Sequence, residues 1–170
     1  MSKIALVTGG SRGIGAATSR MLAAQGYAVA INYRSNAAAA DALCAKLSAR
    51  GFRCMTVQGD VADEAQVVSM FDVVGSALGA ITHLVNNAGI LEQQMTLAEM
   101  SPERLQRVFA TNVTGTFLCC REAVRRMNAG DAIVNLSSVA AKLGSPGEYV
   151  DYAASKAAVD TLTIGLAREV

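Results

Sequence analysis

The stretch "KIALVTGGSRGIG", residues 3–15, joins a short apolar run to a glycine-rich loop. Residues 4–7 of the run 3–8 are all apolar, which is typical of a strand buried on both faces. A loop that binds a dinucleotide needs glycine for a tight turn and for close approach of the backbone to the pyrophosphate. It also needs a helix N-terminus directed at the phosphate charge. The stretch therefore predicts a strand, a phosphate-binding loop and a helix, with the loop glycines at Gly9, Gly13 and Gly15.

The spacing of these glycines, G-x-x-x-G-x-G, is a variant of the usual dinucleotide fingerprint. The spacing alone is a modest signal, but here it opens the first strand–helix unit of an alternating chain. A P-loop is excluded, because no Gly-Lys-Ser or Gly-Lys-Thr follows the glycines. The loop therefore favours a dinucleotide site.

Beyond the loop, short apolar runs alternate with longer helical patterns. Apolar strands separated by helices predict βαβ units and a parallel sheet. Between the last two strands we expect a short helix that opens at Ser101, then a longer one to about Met127. The predicted strands are 3–8, 27–32, 52–58, 81–87 and 132–138.

This alternation predicts one domain over residues 1–170, an α/β fold of the Rossmann type with a doubly wound parallel sheet. Right-handed crossovers make 3-2-1-4-5 the default strand order. Ligands of such sheets bind at the carboxyl ends of the strands, where the order reverses between strands one and four. The loops expected to meet there are 8–15, 32–36, 59–61 and 86–89.

The residues at the end of the second strand indicate whether the fold binds NAD(H) or NADP(H). An NAD-binding fold places Asp or Glu there to hold the ribose 2′-hydroxyl, whereas Arg accommodates a 2′-phosphate. This chain has "INYRSN" at 31–36, with Arg34 and no carboxylate, and Arg12 in the glycine loop can approach from the other side. Either arginine alone is also consistent with a solvated surface charge. Together they favour NADP(H) over NAD(H).

Tyr152 and Lys156 are four residues apart in "YVDYAASKAA" and share one face of a helix. A phenol is a weak acid–base catalyst at neutral pH unless a nearby cation favours the phenolate. Judged by spacing alone, a solvated surface pair is the more common explanation. Small residues at 153–155 are expected to leave room for a flat group, and Ser138 places a hydroxyl at the end of the fifth strand.

Taken in order, these motifs resemble the short-chain dehydrogenase/reductase family along the whole chain. The resemblance is greatest to the 3-oxoacyl-(acyl carrier protein) reductase and glucose dehydrogenase-like branch. The matching motifs are Thr8-Gly9-x-x-x-Gly13-x-Gly15, Asp60, Asn86-Asn87-Ala88-Gly89, Asn112, Ser138 and Tyr152-x-x-x-Lys156.

The resemblance implies a role for each matching position. Ser138 would hold the substrate carbonyl, Tyr152 would exchange a proton with it, Lys156 would bind the nicotinamide ribose, and Asn112 would steady a water. Asp60 and Val61 would border the adenine. The implied cofactor site comprises Gly9, Ser11, Arg12, Gly13, Ile14, Gly15, Arg34, Ser35, Asp60, Val61, Asn87, Ala88, Gly89, Tyr152 and Lys156.

These residues predict an oxidoreductase that transfers a hydride between NADP(H) and a small-molecule carbonyl or secondary alcohol. The alternative is a nucleotide-binding module without turnover, either a regulatory homologue or a fragment. The family also implies a homo-oligomer, a tetramer or a dimer, packed through helices at about 101–127 and 152–170. No segment of the sequence names the substrate.

The composition and the net charge argue against several other functional classes. A formal net charge of +1 gives no electrostatic case for nucleic acid or an anionic membrane. No apolar run approaches the roughly 20 residues that span a bilayer, and the N-terminus does not resemble a signal peptide. A cytoplasmic enzyme is expected. The four cysteines and single histidine show no metal-ligand spacing, so the cysteines are expected to be reduced, small core residues.

The last helix carries an apolar stripe at 159, 162, 166 and 170 and continues to Val170. Members of the family continue through further C-terminal strands and substrate-lid helices, which are absent from this sequence. We therefore expect the 170 residues to be a fragment, or the ordered part, of a longer chain.

Overall fold

Five parallel strands form a single sheet in the order β3-β2-β1-β4-β5. The computed structural model describes residues 3–170. The strand order and the helices that flank the sheet confirm the predicted Rossmann-type α/β fold. The strands are β1 (Ile4–Val7), β2 (Ala28–Tyr33), β3 (Cys54–Gln58), β4 (His83–Asn86) and β5 (Ala132–Asn135).

Seven α-helices connect and cover the strands. A 3₁₀ turn at Leu97–Glu99 and a π-helical segment at Ala110–Thr114 lie among them. The helices are α1 (Gly13–Ala24), α2 (Ala37–Ser48), α3 (Glu64–Leu78), α4 (Pro102–Phe109), α5 (Gly115–Arg126), α6 (Ala140–Leu143) and α7 (Val150–Glu169).

The apolar strands are buried because helices cover both faces of the sheet. Leu6 and Leu84 point to one face, where they pack with side chains of α3 and α5. Val7 and Val85 point to the other, where they pack with side chains of α1 and α2. Residues of β1, β2 and β4 thus alternate between two cores, so these strands have no solvent-facing side that would carry alternating polar residues.

The region between β4 and β5 contains the two predicted helices, and they are continuous rather than separated by a loop. The backbone remains helical from Pro102 to Arg126, and the π-helical segment joins α4 to α5. Ser101 caps α4 by accepting a hydrogen bond from the N–H of Arg104 at 3.3 Å, as the sequence predicts. Within the π segment, the side chain of Asn112 bonds outside the helix, and such local widening is frequent at functional sites.

The apolar stripe of α7 is only partly covered. Val159 is buried, whereas Leu166 and Val170 line a groove of about 410 Å³ beside Ile133 of β5. Val134 of β5, the edge strand, is 52% exposed.

The structure bears on two functional classes, membrane-spanning proteins and metal-binding proteins. No helix within residues 3–170 has the length and apolarity to cross a bilayer. Over the same residues, His, Cys, Asp and Glu side chains do not gather into a group of three or more that could ligate a metal ion.

Candidate active site

A cleft of about 330 Å³ opens at the carboxyl ends of β1–β4. It lies at the point where the strand order reverses, as the sequence predicts. Most of the candidate cofactor residues line it, whereas Gly15, Tyr152 and Lys156 do not. The candidate residues in the lining are Gly9, Ser11, Arg12, Gly13, Ile14, Arg34, Ser35, Asp60, Val61, Asn87, Ala88 and Gly89.

The three glycines predicted in the first loop are required for two different reasons. Gly9 and Gly13 have φ values of +58° and +51°, a region that side chains disfavour. Gly15 has an ordinary φ, but a Cβ there would lie 2.5 Å from Asn87 Nδ2 and still closer to the carbonyl oxygen of Gly9. The sequence analysis missed Gly10, where a Cβ would lie 2.8 Å from the carbonyl oxygen of Val7.

The loop after β1 is tied directly to the loop after β4. Thr8 Oγ1 accepts hydrogen bonds from the backbone N–H groups of Asn87 and Ala88, both at 3.0 Å. In return, the Asn87 amide donates to the carbonyl oxygens of Thr8 at 2.9 Å and Gly9 at 3.0 Å. The sequence analysis places Asn87 at the cofactor, and the structure shows that its side chain also shapes the cleft.

Asn32, which the sequence analysis did not single out, connects two further loops. Its side chain is 2% exposed, accepts from the N–H of Gly9 at 3.1 Å and donates to the carbonyl oxygen of Gly59 at 3.0 Å. A buried amide costs free energy unless its polar atoms are paired, so this position suits only a side chain that can both donate and accept. The signal in the sequence is a lone polar residue near the end of an apolar strand.

The N-terminus of α1 is suited to an anion. Arg12 is its N-cap, yet no side chain caps the helix and no acidic residue lies in the first turn. The first N–H groups of a helix have no partner within it and carry a partial positive charge. Unpaired backbone N–H donors therefore lie beside the space that the loop glycines leave open, which is the arrangement that binds a phosphate.

Arg34 and Asp60 face each other at the rim of the cleft. Arg34 Nη1 lies 3.8 Å from Asp60 Oδ2, and the Arg34 side chain is 62% exposed. An exposed ion pair of this length contributes about 0–1 kcal/mol. The guanidinium can therefore exchange Asp60 for a phosphate at little cost.

Lys156 borders the end of the cleft at Gly89. A Cβ on Gly89 would lie 3.7 Å from Lys156 Nζ, which itself donates to the carbonyl oxygen of Leu136 at 2.7 Å. Burial lowers the pKa of Lys156 below its usual value, and the charge of Asp160 opposes that change. The ammonium lies 5.7 Å from the centroid of the Tyr152 ring. The spacing of four residues therefore does place the two side chains together.

Tyr152 lies in the first turn of α7 and Ser138 lies just before α6, both half-buried. Helices α6 and α7 pack against each other. Ser138 Oγ accepts a hydrogen bond from the N–H of Ala140 at 3.2 Å, which leaves its hydrogen able to turn toward another acceptor.

Asn112 is completely buried and links three segments. Its Oδ1 accepts from the N–H of Ile90 at 2.8 Å, and its Nδ2 donates to the carbonyl oxygen of Ile90 at 2.9 Å and to Ser155 Oγ at 3.0 Å. These bonds hold the segment after Gly89 against α7. Asn112 is thus a positioning residue, and its role in holding a water stays a prediction.

The small residues between Tyr152 and Lys156 correct one expectation in part, because Ala154 is exposed but the other two are buried. Ala153 is 3% and Ser155 0% exposed, so neither leaves open space for a ligand. Ser155 Oγ donates to the carbonyl oxygen of Tyr152 at 2.7 Å. Ser155 suits this position because α7 packs on the π-helical segment there, where Ser155 Oγ accepts a hydrogen bond from the Asn112 amide.

A buried ion pair beside Tyr152 has no signal in the sequence. Arg104 of α4 donates from Nε to Asp151 Oδ2 at 2.7 Å and from Nη2 to Asp151 Oδ1 at 3.2 Å, and both residues are 3% exposed. Arg104 Nη1 also donates to the carbonyl oxygen of Gln93. Asp151 Oδ1 accepts from the N–H of Tyr152 at 2.8 Å. The pair thus fixes the start of α7 to α4.

Comparisons with known proteins agree with this geometry. A family model for short chain dehydrogenases matches residues 3–170. The chain is 56% identical over 172 residues to the uncharacterized oxidoreductase YgfF of Escherichia coli (strain K12), across 98% of this chain and 70% of that protein. It is 41% identical to the 3-oxoacyl-[acyl-carrier-protein] reductase FabG of Staphylococcus aureus (strain Mu50 / ATCC 700699), across 100% of this chain and 69% of that protein.

Among solved structures, the chain is similar to a short chain dehydrogenase from Burkholderia cenocepacia J2315 in complex with NADP. The TM-score is 0.94 at 40% sequence identity, and the match covers 98% of this chain and 68% of that one. The family resemblance inferred from the motifs is confirmed. The protein belongs to the short chain dehydrogenase family of oxidoreductases.

Proposed function

We propose that the protein is an NADP(H)-dependent oxidoreductase that interconverts a carbonyl and a secondary alcohol, with Tyr152 as the general acid and base. One observation carries the proposal: the lining of the cleft includes Gly89, which lies beside Lys156, and the Lys156 ammonium lies 5.7 Å from the Tyr152 ring. A nucleotide-sized cleft and an acid–base pair are thereby adjacent.

The residues of the cleft fit NADP(H). Gly9 and Gly15 allow the backbone to come close to a pyrophosphate, and the first turn of α1 supplies unpaired N–H donors. Arg12 and Arg34 both line the cleft and can bind a 2′-phosphate. The similar structure from Burkholderia cenocepacia contains NADP, which supports the same cofactor here.

NADPH held by the residues of the cleft would supply the hydride that forms the new C–H bond at the carbonyl carbon of the substrate. As that bond forms, Tyr152 Oη donates its proton to the carbonyl oxygen, and the product is a neutral alcohol. The ammonium of Lys156 stabilises the phenolate left on Tyr152, because opposite charges attract strongly in a partly buried site. In this scheme Ser138 Oγ donates a hydrogen bond to the same carbonyl oxygen. Oxidation of the alcohol runs through these steps in reverse.

The test is Tyr152→Phe in the full-length protein, assayed with NADPH and a panel of aldehydes, ketones and 3-oxoacyl thioesters. The thioesters are included because the chain is similar to a 3-oxoacyl-[acyl-carrier-protein] reductase. Loss of a general acid typically costs about 10²–10⁴-fold in rate. NADPH affinity should remain unchanged, because the cleft does not include Tyr152.

Tyr149→Phe is the matched control, since Tyr149 is the N-cap of α7 and lacks a lysine four residues later. It should retain turnover. Equal activity of wild type and Tyr152→Phe would reject the acid–base role. NADPH binding by a wild type that reduces no substrate in the panel would favour the nucleotide-binding module.

We also propose that the enzyme is a cytoplasmic homo-oligomer, a dimer or a tetramer. Phe117 and Val124, seven residues apart on one face of α5, are 48% and 38% exposed. Exposed apolar side chains that share a helix face are typical of subunit contacts. Light scattering of the full-length protein at several concentrations tests this, and a strict monomer would contradict it.

A further inference from the structure

Two cysteines that belong to neither the cleft nor the acid–base pair lie side by side on the α2 face of the sheet. Cys44 is on α2, Cys54 is the first residue of β3, and their Sγ atoms are 2.7 Å apart. Non-bonded heavy atoms usually lie about 3.5–4 Å apart. Cys54 Sγ also lies 3.2 Å from the carbonyl oxygen of Cys44 and 3.4 Å from Ser48 Oγ.

We propose that Cys44 and Cys54 form a modification site at which hydrogen peroxide generates a disulfide between α2 and β3. A disulfide forms without backbone rearrangement only where the two Cβ atoms already approach each other, with the sulfurs then about 2.05 Å apart. Packing of α2 on β3 supplies that approach. The proposal does not rest on the proposed function.

The chemistry is a two-electron oxidation. One sulfur attacks a peroxide oxygen, the O–O bond breaks, and a sulfenic acid and one water result. The second sulfur then attacks the sulfenic sulfur, the S–S bond forms, the S–O bond breaks, and a second water leaves. Each thiol loses one proton and one electron, and the peroxide takes up both electrons and both protons to give the two waters.

Exposure distinguishes this pair from the other two cysteines. Cys44 and Cys54 are half-buried, whereas Cys119 and Cys120 are buried on α5. Burial raises the pKa of Cys119 to about 12 and that of Cys120 to about 11. Burial also raises the pKa of Cys44 to about 12, with a further rise from its hydrogen bond to Cys54. Since the thiolate is the nucleophile, oxidation should be slow at neutral pH and faster in alkaline buffer.

The bridge would affect the wall of the cleft. Helix α2 follows Arg34, Ser35 and Asn36, and β3 leads into Gly59 and Asp60, and all five residues line the cleft. A side-chain hydrogen bond from Thr56 Oγ1 to Asp41 Oδ1 at 3.0 Å already joins α2 to β3. A covalent link would add to it by restricting the unfolded chain.

The experiment treats the folded, full-length protein with hydrogen peroxide and measures intact mass and free thiols, followed by non-reducing tryptic digestion. Lys46, Arg50 and Arg53 lie between the two cysteines, so peptides 35–46 and 54–104 remain joined only if the bridge has formed. We expect a loss of two hydrogen atoms, the joined peptides, and reversal by dithiothreitol. Cys44→Ser and Cys54→Ser should abolish the joined peptides, and Cys120→Ser should retain them.

Thermal unfolding gives a second measurement. The oxidised protein should unfold several degrees above the reduced protein, and dithiothreitol should remove the difference. An unchanged or lower midpoint in a protein whose peptides are joined would contradict a bridge that forms without rearrangement of α2 and β3, and the proposal in that form would fail. It would also fail if peroxide added oxygen atoms without joining the peptides, or if the folded protein did not react.

Discussion

At the scale of single residues, Gly15 is the position in the glycine loop with the least space. We expect Gly15→Ala to displace the loop, because its Cβ would meet the Gly9 carbonyl oxygen and Asn87 Nδ2. Overpacking of this kind lowers the free energy of unfolding by about 1–3 kcal/mol. The displaced loop should also weaken NADPH binding, and each loss of about 1.4 kcal/mol in binding free energy corresponds to a tenfold lower affinity. Urea unfolding and a fluorescence titration measure the two effects.

Gly75→Ala is the control for that substitution. Gly75 lies within α3 and is exposed, and a Cβ there would meet nothing within 4 Å. Alanine is favoured over glycine in helices by up to about 1 kcal/mol, so this variant should be slightly more stable and bind NADPH normally. An equal loss of affinity in both variants would remove the steric explanation for Gly15.

Arg34 decides the cofactor in our proposal. We expect Arg34→Ala to weaken NADPH binding while NADH binding stays the same, because only NADPH carries the 2′-phosphate. A charge-assisted hydrogen bond contributes about 1.5–3 kcal/mol, which is roughly a tenfold to hundredfold change in dissociation constant. Arg20→Ala removes the same charge from α1 at an exposed position outside the cleft, and it should change neither affinity. Equal weakening of both cofactors by Arg34→Ala would contradict the assignment.

At the scale of the elements, the Arg104–Asp151 pair joins α4 to α7. We expect Asp151→Asn to destabilise the fold by about 3–5 kcal/mol, because the charge of Arg104 would remain buried without a counter-charge. Glu92→Gln is the control, since Glu92 pairs with Arg107, whose side chain is 56% exposed. Loss of an exposed pair costs about 1 kcal/mol or less. Urea unfolding compares the two variants, and similar costs would show that burial of the Asp151 pair is unimportant.

The same pair predicts a dependence of stability on pH. Burial would raise the pKa of Asp151, but hydrogen bonds from Arg104 and from the Tyr152 N–H outweigh it and lower the pKa below 3.8. A lowered pKa in the folded state means that the unfolded state binds more protons. The contribution of Asp151 is therefore complete above about pH 4. It is lost as the pH falls through the lower, folded value. Acid unfolding followed by circular dichroism should be less steep in Asp151→Asn than in wild type.

At the scale of the whole molecule, NADPH binding should change amide hydrogen exchange at one edge of the sheet only. We expect NADPH to slow amide hydrogen exchange in the loops at the carboxyl ends of the strands, because binding restricts their opening. The turns at the amino ends should exchange as before. Mass spectrometry of the exchanged peptides measures this, and protection at the amino edge would contradict the assigned site. The loops expected to be protected are 9–15, 34–36, 59–61 and 87–90.

The sequence by itself determined the sheet, its strand order and the place of the cleft. Apolar strands covered on both faces, glycines after the first strand, and right-handed crossovers are local or general rules that need no knowledge of distant contacts. Tyr152 and Lys156 are likewise placed by the pitch of one helix.

The tertiary structure alone decided the contacts between segments distant in sequence. Arg104 and Asp151 are separated by 47 positions. Cys44 and Cys54 meet because α2 packs on β3, and Ser155 meets Asn112 because α7 packs on the π-helical segment. Such pairs depend on how two elements dock, to within about an ångström, whereas hydrophobic periodicity specifies only which face is buried.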